Sequence, residues 1–559
     1  MLERNKIKVG FIFDSYKIPN HYFELLEKVS ESGYFEKPVI ISGYRRNLDN
    51  DINIYKKAKN KYDKLGPLKF FKLLLFTIVL RFIIKVESLY FLKDTKFDDN
   101  LIDISKSESY EFILIKGSYS KSGLVLKATP EDLRELKEAK LDLLIRCGTG
   151  ILSGEILNVS RLGIISIHRG DNRINRGMPA GFWEVLNNES STGFIIQKIN
   201  SELDGGDVLV RGNFMTQTTW HKNSKRYQEK IFYFLYELLK EIAVLGNLPE
   251  AELPLFHTRQ LYKLDARVSI LMRYIYKSWV ALIFKRCLTY VTRSNLKWQI
   301  AYSTEPNPTK SLSKYIKINN QPNSFFADPF AVTFNNRNII FTEEYFLNEK
   351  KGKISAIEIM GDRQEYLGPV IEEKFHLSFP YTFNVGNKLY MVPETAKINE
   401  IRIYECVDFP FKWEFKMTLM CDIDAADTMI IKKNEYWYLL SNVCSAKIGE
   451  HNSELHIYYS ESLFTNKWRP ITQGNPVVFN SDLGRNGGFY KLGDSFFRVS
   501  QVHKIGHYGY SIKINQIESI TKEVYSERTI QELEPKFFKN QKSFHHFHSN
   551  GAFSVLDFQ

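Results

Sequence analysis

At 559 residues the chain is too long for one hydrophobic core, and 43% apolar with 14% aromatic residues excludes a disordered or fibrous class. Its 76 basic against 64 acidic residues leave a net charge of +12, which suits anionic partners but is dispersed rather than gathered into the stripe of a nucleic-acid module. Five cysteines (Cys147, Cys287, Cys406, Cys421, Cys444) show no paired spacing, so neither a disulfide framework nor a zinc site is indicated and a reducing cytoplasm is expected.

The N-terminal residues pass straight into a strand pattern at Lys6–Phe13, with no apolar signal region, so no export is expected. A Pro-containing turn, an amphipathic helix over His21–Ser32 and a strand at Pro38–Ser42 complete a β-α-β opening, which predicts a doubly wound sheet. No G-x-G-x-x-G turn is present there, which disfavours a dinucleotide. Pro67–Leu92 is the most apolar long segment, but Lys72, Arg81 and Lys85 keep it from reaching 18 uncharged residues. Two readings stand for it: a helix packed on the sheet, or an interfacial helix at an anionic lipid surface. Tyr110–Lys116 resumes the sheet, and Thr129 can cap a charged helix over Pro130–Lys140.

From Leu141 to Val210 three apolar runs (Leu141–Ile145, Leu162–Ile167, Gly193–Ile199) read as buried strands, each followed by a Gly-rich or polar turn. His168 and Asp204 sit at the ends of two of these runs, where catalytic groups of open α/β sheets lie. Tyr227–Leu245 then reads as the helix closing the first domain. Leu264–Trp298 is a second basic, apolar helical region, either bridging domains or touching a membrane surface.

Beyond Ser313 short aromatic and β-branched runs alternate with turns. Asn335-Asn336, Gly386-Asn387, Lys433-Asn434 and Gly493-Asp494 recur about every 50 residues, a spacing that predicts propeller blades of four strands each, five in all. The expected division is an α/β domain over 1–250, a helical linker over 251–311 and an all-β propeller over 312–559.

Ser166-Ile167-His168 followed by Arg176-Gly177, and Leu203-Asp204-Gly205-Gly206-Asp207, together resemble the signature of the folate-dependent formyltransferases. In that family, which includes methionyl-tRNA formyltransferase, glycinamide ribonucleotide transformylase and the sugar N-formyltransferases, the first segment reads Asn-x-His-Pro-Ser-Leu-Leu-Pro-x-x-Arg-Gly. The resemblance is strong over 110–215, weaker over 7–110 and absent beyond. It implies a Rossmann-like formyltransferase fold with N10-formyltetrahydrofolate as cofactor, held by Arg146, Cys147, Gly148, Thr149, Gly150, Ile151 and Leu152 together with Leu203. It also implies His168, Asp204 and Ser166 as the catalytic set. Ser166 stands where the family has Asn, and Arg169–Arg173 replaces Pro-Ser-Leu-Leu-Pro. The Gly-Asp-Asn form and the Gly181–Glu184 segment are similar to one bacterial branch. Ala327-Asp328-Pro329-Phe330 and Pro393-Glu394 resemble the five-bladed propellers of arabinanase-type glycosidases and the N-terminal domain of plant glucosamine inositolphosphorylceramide transferases.

Formyl transfer to an amine needs a donor for the developing oxyanion, a base for the ammonium proton and exclusion of water. His168 suits the first or second task. Asp204 can orient it and receive the proton. Ser166, two residues earlier on the same strand face, can donate to the oxyanion as the family's Asn amide does. In the following turn Arg169, Asp171, Asn172, Arg173 and Arg176 are either a solvated charged loop or a grip on the acceptor, the arginines taking its phosphate. Cys147 is expected to pack rather than react. In the propeller Asp328, Glu394 and Asp427 are candidates to bind carbohydrate; a glycosidase-like role and a purely architectural one remain open. The His545–His548 cluster is read as a closing strand, and no metal site is expected.

These readings predict a cytoplasmic N-formyltransferase, at the inner membrane face if the apolar helices touch lipid. The expected acceptor is an amino sugar, nucleotide-linked or lipid-linked, in surface-glycan biosynthesis. No nucleic-acid partner is expected, because nothing after residue 215 reads as the small barrel that holds a tRNA acceptor arm. The alternative is a non-catalytic or altered formyltransferase scaffold joined to a carbohydrate-binding propeller.

Overall fold

In the computed structural model the described residues are 6–42, 63, 66–90, 100–120, 125–148, 150–253, 257–264, 267–284, 287, 297–305, 309 and 311–559. The chain divides into two compact units: Met1–Gly212 with Gln217–Lys285, and Asn213–Thr216 with Arg286–Gln559. The segment expected as a linker, 251–311, is therefore shared between them: its helix Val268–Ile275 belongs to the first unit and its strand Gln299–Ser303 to the second.

The first unit is built on a seven-stranded sheet. Val9–Ile12 lies between Val39–Ser42 and Leu143–Arg146, all parallel, and Ile164–His168 extends the parallel set. Glu111–Leu114 pairs in parallel with Val39–Ser42 at one edge. On the other side Ser191–Lys198 runs antiparallel to Ile164–His168, followed by Asp207–Met215. The central strands Val9–Ile12, Val39–Ser42 and Leu143–Arg146 are buried along their whole length. That is why they read as continuous apolar runs instead of alternating ones. The connecting helices carry the local signals expected of them. Thr129 caps Pro130–Glu138 in a reciprocal capping box with Asp132. Trp220–Leu245 stops at Gly246, whose φ of 68° a Cβ-bearing residue would resist. Pro67–Tyr90 is a helix of 24 residues.

Among the described residues the second unit holds five antiparallel modules of four strands, the third with an additional short strand, Val478–Phe479, paired to Glu454–Ser460. The first three are Ser324–Ile371, Ser378–Cys421 and Ala425–Pro470, each with its strands in chain order. The fourth, Asn486–Leu533, shares a sheet with the fifth. Module five is assembled from both ends of the unit: Phe547–Ser549 and Ser554–Phe558 pair on to Gln299–Ser303 and Ile316–Ile318. The turns that recur in the sequence are the first hairpins of modules one to four, joining for example Ser324–Phe334 to Arg337–Phe346 through Asn335 and Asn336, both at positive φ.

One irregularity repeats. The first strand of each of these four modules carries a register shift, at Ala327/Phe330, Ser378/Tyr381, Ala426/Met429 and Asn486/Phe489. A positive-φ residue lies in each: Asp328, Phe379, Asp427 and Gly488. A bulge re-aims the side chain of the extra residue. In modules one and three that side chain is an aspartate.

Candidate functional site

In the first unit the carboxyl ends of the parallel strands gather the residues expected to be catalytic. Ser166 pairs in register with Arg146 on one side and Gln197 on the other, and His168 ends the same strand. His168 Nδ1 stands 3.2 Å from Asp204 Oδ1, with both side chains largely buried. The opposite nitrogen, Nε2, is buried and has no hydrogen-bond partner. At Gly170 an added Cβ would come within 3.1 Å of that nitrogen, so the glycine leaves it room. Asp204 itself occupies a left-handed conformation, φ 53°. Its carbonyl accepts from Asn172 Nδ2 at 2.9 Å, and the Leu203 carbonyl accepts from Arg176 at 2.6 Å. Two loops far apart in sequence are thus tied together at the histidine.

Arg146 acts inward. Its guanidinium donates to Asp14 Oδ1 (2.6 Å), the Ile12 carbonyl (3.0 Å) and the Gly150 carbonyl (3.1 Å), bracing the 147–152 turn from beneath. At Gly148 an added Cβ would meet the Arg146 guanidinium and the Asp14 carboxylate at 2.3 Å, so a larger residue would displace this ion pair. Burial pushes the Cys147 thiol up, so it is no thiolate at neutral pH and packs as a small apolar group. Thr149 lies outside the described residues. Ile151 and Leu152 form a short strand, and Leu203 is exposed.

The charged turn is also partly self-satisfied. Asp171 is held by Arg211 (2.6 Å) and Arg173 (2.7 Å), and the resulting ion pairs keep its carboxyl below the usual range in spite of burial. Asn172 is buried and engaged with Asp204. Asp171, Asn172 and Arg176 thus hold the loop together through these contacts. Arg169 has no carboxylate partner among the described residues, and its charge is felt at His21, Tyr22 and Tyr227.

Two residues given no role from sequence belong beside this site. Burial, aided by Arg169, lowers His21 to about 4, so its ring is neutral. Burial pushes the Glu184 carboxyl up to about 7, against its own backbone N–H and the charge of His168. A carboxyl raised in the folded state contributes its full stability below the unfolded value of 4.5 and loses it as pH rises through about 7. Glu184→Gln is therefore expected to be the more stable protein above pH 7, by about 3 kcal/mol, with the difference vanishing toward pH 4. Denaturant unfolding across that pH range reads it directly.

In the second unit Asp328, Glu394 and Asp427 meet in one buried cluster. Glu394 shares a hydrogen bond with Asp427, and Asp427 Oδ2 accepts from Arg485 Nε at 2.7 Å. Burial, with Asp557 and Asp427 adding to it, pushes Asp328 up to about 7. Burial and then Asp328 push Glu343 well above the carboxylate range; burial and then Asp427 do the same for Glu394. His545 bridges Asp557 (Nδ1, 2.8 Å) and Asp328 (Nε2, 3.4 Å). Against a burial penalty that lowers it, Asp557 and Asp328 hold the His545 pKa up. Asp328, His545 and Asp557 bring their donor atoms within 4.8 Å of one another. The His545–His548 segment thus does two things: His548 lies in the closing strand, while His545 enters the carboxylate cluster. Tyr508 and Trp298 flank it, the Arg485 guanidinium 5.4 Å from the Tyr508 ring and the Trp298 ring 4.0 Å from that of His545. Glu343, Arg485 and Asp557 carry no local motif, so nothing in the sequence singled them out.

Comparison with known proteins finds both parts that the sequence resembles. Residues 294–552 match the family model described as Glucosamine inositolphosphorylceramide transferase 1, N-terminal. Glucosamine inositolphosphorylceramide transferase 1 of Oryza sativa subsp. japonica is 34% identical over 212 residues, covering 37% of this chain and 28% of that protein. Methionyl-tRNA formyltransferase of Caldanaerobacter subterraneus subsp. tengcongensis is 32% identical over 109 residues, 19% of this chain and 35% of that protein. The chain thus spans about a third or less of the curated relatives it matches. Among solved structures, an N-formyltransferase from Helicobacter canadensis is 13% identical, with a TM-score of 0.29 over 60% of this chain and 95% of that one. The catalytic domain of a Coprinopsis cinerea GH62 alpha-L-arabinofuranosidase is 11% identical, with a TM-score of 0.32 over 47% of this chain and 98% of that one.

Proposed function

We propose that the chain is an N10-formyltetrahydrofolate-dependent N-formyltransferase. Its acceptor is the amino group of a sugar, nucleotide-linked or lipid-linked, on the way to a surface glycan. The second unit is a five-bladed propeller that binds the glycan. The observation that carries this reading is the His168–Asp204 pair at a strand end, with Nε2 buried and unpartnered. The relatives named methionyl-tRNA formyltransferase support the reaction class. The rice protein's name pairs glucosamine with inositolphosphorylceramide, which supports an amino sugar on a lipid as acceptor.

The residues of the first unit fit a folate donor. The Cys147–Leu152 turn is braced from within by Arg146, leaving its outer edge and the exposed Leu203 for the ligand. When bound, N10-formyltetrahydrofolate supplies an activated formyl carbon. With its Nδ1–H turned to Asp204, the neutral His168 ring takes the ammonium proton at Nε2; in its charged form it donates from Nε2 to the developing oxyanion. Asp204 stabilises the charged ring and fixes its orientation. Ser166, on the same strand, adds a hydroxyl donor. Ser166→Ala is expected to lower kcat about 10²-fold with little change in KM, read from steady-state tetrahydrofolate release.

The alternative rests on Ser166 itself. A hydroxyl whose geometry is less fixed than that of the Asn amide supports a first unit that binds folate without turnover, joined to a carbohydrate-binding second unit. In that second unit the pairing of Asp427 with Arg485 favours binding over hydrolysis, because a neutralised carboxylate is a poor base or nucleophile. Calorimetry of the intact protein with the unreactive analogue 5-formyltetrahydrofolate tests the proposed donor site. Binding at micromolar concentration supports it, and no binding at millimolar concentration contradicts it.

A further inference from the structure

We infer that the outer face of the packed helices Pro67–Tyr90 and Val268–Ile275 is a docking surface for an anionic lipid bilayer. The pair is firmly built on its inner side. Phe76, Ile83, Leu271 and Tyr274 pack on Phe182 and Trp183, and Phe182 stacks on Tyr274 at 5.0 Å. Glu87, fully buried, accepts from the His221 backbone N–H (2.8 Å), Tyr274 Oη (2.5 Å) and Trp279 Nε1 (2.9 Å). These bonds lock both helices to the start of Trp220–Leu245, so the outer face is presented rigidly.

That outer face is apolar where a water-facing helix would be polar. Phe71, Ile78 and Phe82 are 62%, 56% and 55% exposed on the first helix. Met272, Tyr276 and Phe284 are exposed along the second helix and the turns that continue it. Every exposed charge on the two helices is a cation: Lys69, Lys72, Arg81, Lys85 and Arg273. Their single carboxylate is the buried Glu87. Apolar side chains rimmed by Lys and Arg, with no acid among them, match the boundary between acyl chains and anionic headgroups. A second copy of this chain is a poorer occupant, since apposing two such faces would set cations against cations. No helix among the described residues is long and apolar enough to cross a membrane, so the helices lie in the surface plane.

Flotation of the full chain with phosphatidylglycerol–phosphatidylcholine vesicles, against pure phosphatidylcholine, tests the assignment. The expected result is strong anionic-vesicle binding, weakened by salt and by neutral lipid. Removing Lys69, Lys72, Arg81 and Lys85 as glutamines should weaken it by roughly 600-fold, at roughly fivefold per charge. A separate Phe71→Ser, Ile78→Ser, Phe82→Ser variant should lose retention in high salt while keeping the same circular dichroism spectrum. Equal binding by wild type and both variants would overturn the assignment. So would self-association that the serine variant abolishes in a protein that never floats.

Discussion

Asp204→Asn is expected to lower kcat for formyl transfer by ~10²–10⁴ while leaving the unfolding midpoint nearly unchanged. Asp204 holds φ 53°, a conformation asparagine tolerates, so the backbone turn and the carbonyl accepted by Asn172 survive the exchange. What is lost is the negative charge 3.2 Å from His168 Nδ1, and with it the stabilisation of the imidazolium form. An alanine here would mix catalysis with backbone strain, which makes Asn the cleaner replacement. His168→Ala, at a strand end with an ordinary conformation, should give a loss at least as large. The two losses should not add, because the residues act as one unit. Single-turnover rates of the two single variants and the double variant read this directly.

Arg498→Met is expected to destabilise the second unit by about 3–5 kcal/mol. Arg498 is fully buried, with Nε donating to Glu527 at 2.8 Å and the other nitrogens to the Leu483 and Gly484 carbonyls and Asn486 Oδ1. Removing the guanidinium leaves the buried Glu527 without its cation, keeping only Tyr525 as a side-chain donor, and takes a donor from the Leu483 and Gly484 carbonyls and from Asn486 Oδ1. Pairing the change with Glu527→Gln should recover a large part of the loss, since the uncompensated charge is its main source. The consequence reaches the carboxylate cluster. Arg498 braces the 483–486 turn, and that turn carries Arg485, the partner of Asp427. The variant should therefore weaken any carbohydrate binding by the second unit even below its unfolding temperature, which a titration at low temperature would detect.

The first unit was legible because its signals are local. Continuous apolar runs at Val9–Ile12 and Leu143–Arg146 announce strands buried on both faces, and Thr129 announces its helix through a side-chain cap. The pairing of His168 with Asp204 rested on a motif, and the structure brings the two within 3.2 Å. The purpose of Arg146 was not legible. An arginine at a ligand loop reads like a ligand contact, yet its reach is turned to Asp14 and two carbonyls under that loop. The partners of Asp171 and Asn172 were equally illegible, because a polar residue in a turn looks free until its partner from a distant segment, Arg211 or Asp204, is known.

In the second unit the hairpin turns spelled out the module length, since Asn335, Asn336 and Gly493 sit at positive φ that few other residues supply. The repeated bulge is visible in hindsight as Ala-Asp-Pro-Phe, Ser-Phe-Pro-Tyr and Ala-Asp-Thr-Met at matching places. What no single sequence window contains is the convergence of Asp328 and Glu343 from module one with Arg485, just before module four, and Asp557 of module five.

The central claim is tested most directly by tetrahydrofolate release from N10-formyltetrahydrofolate with the intact protein and a panel of nucleotide-linked and lipid-linked amino sugars, beside His168→Ala. The expected result is release that requires one amino sugar, yields its N-formyl product in equal amount, and disappears in the variant. Release at the same rate in the variant, or none with any amino sugar despite bound folate, would contradict the account.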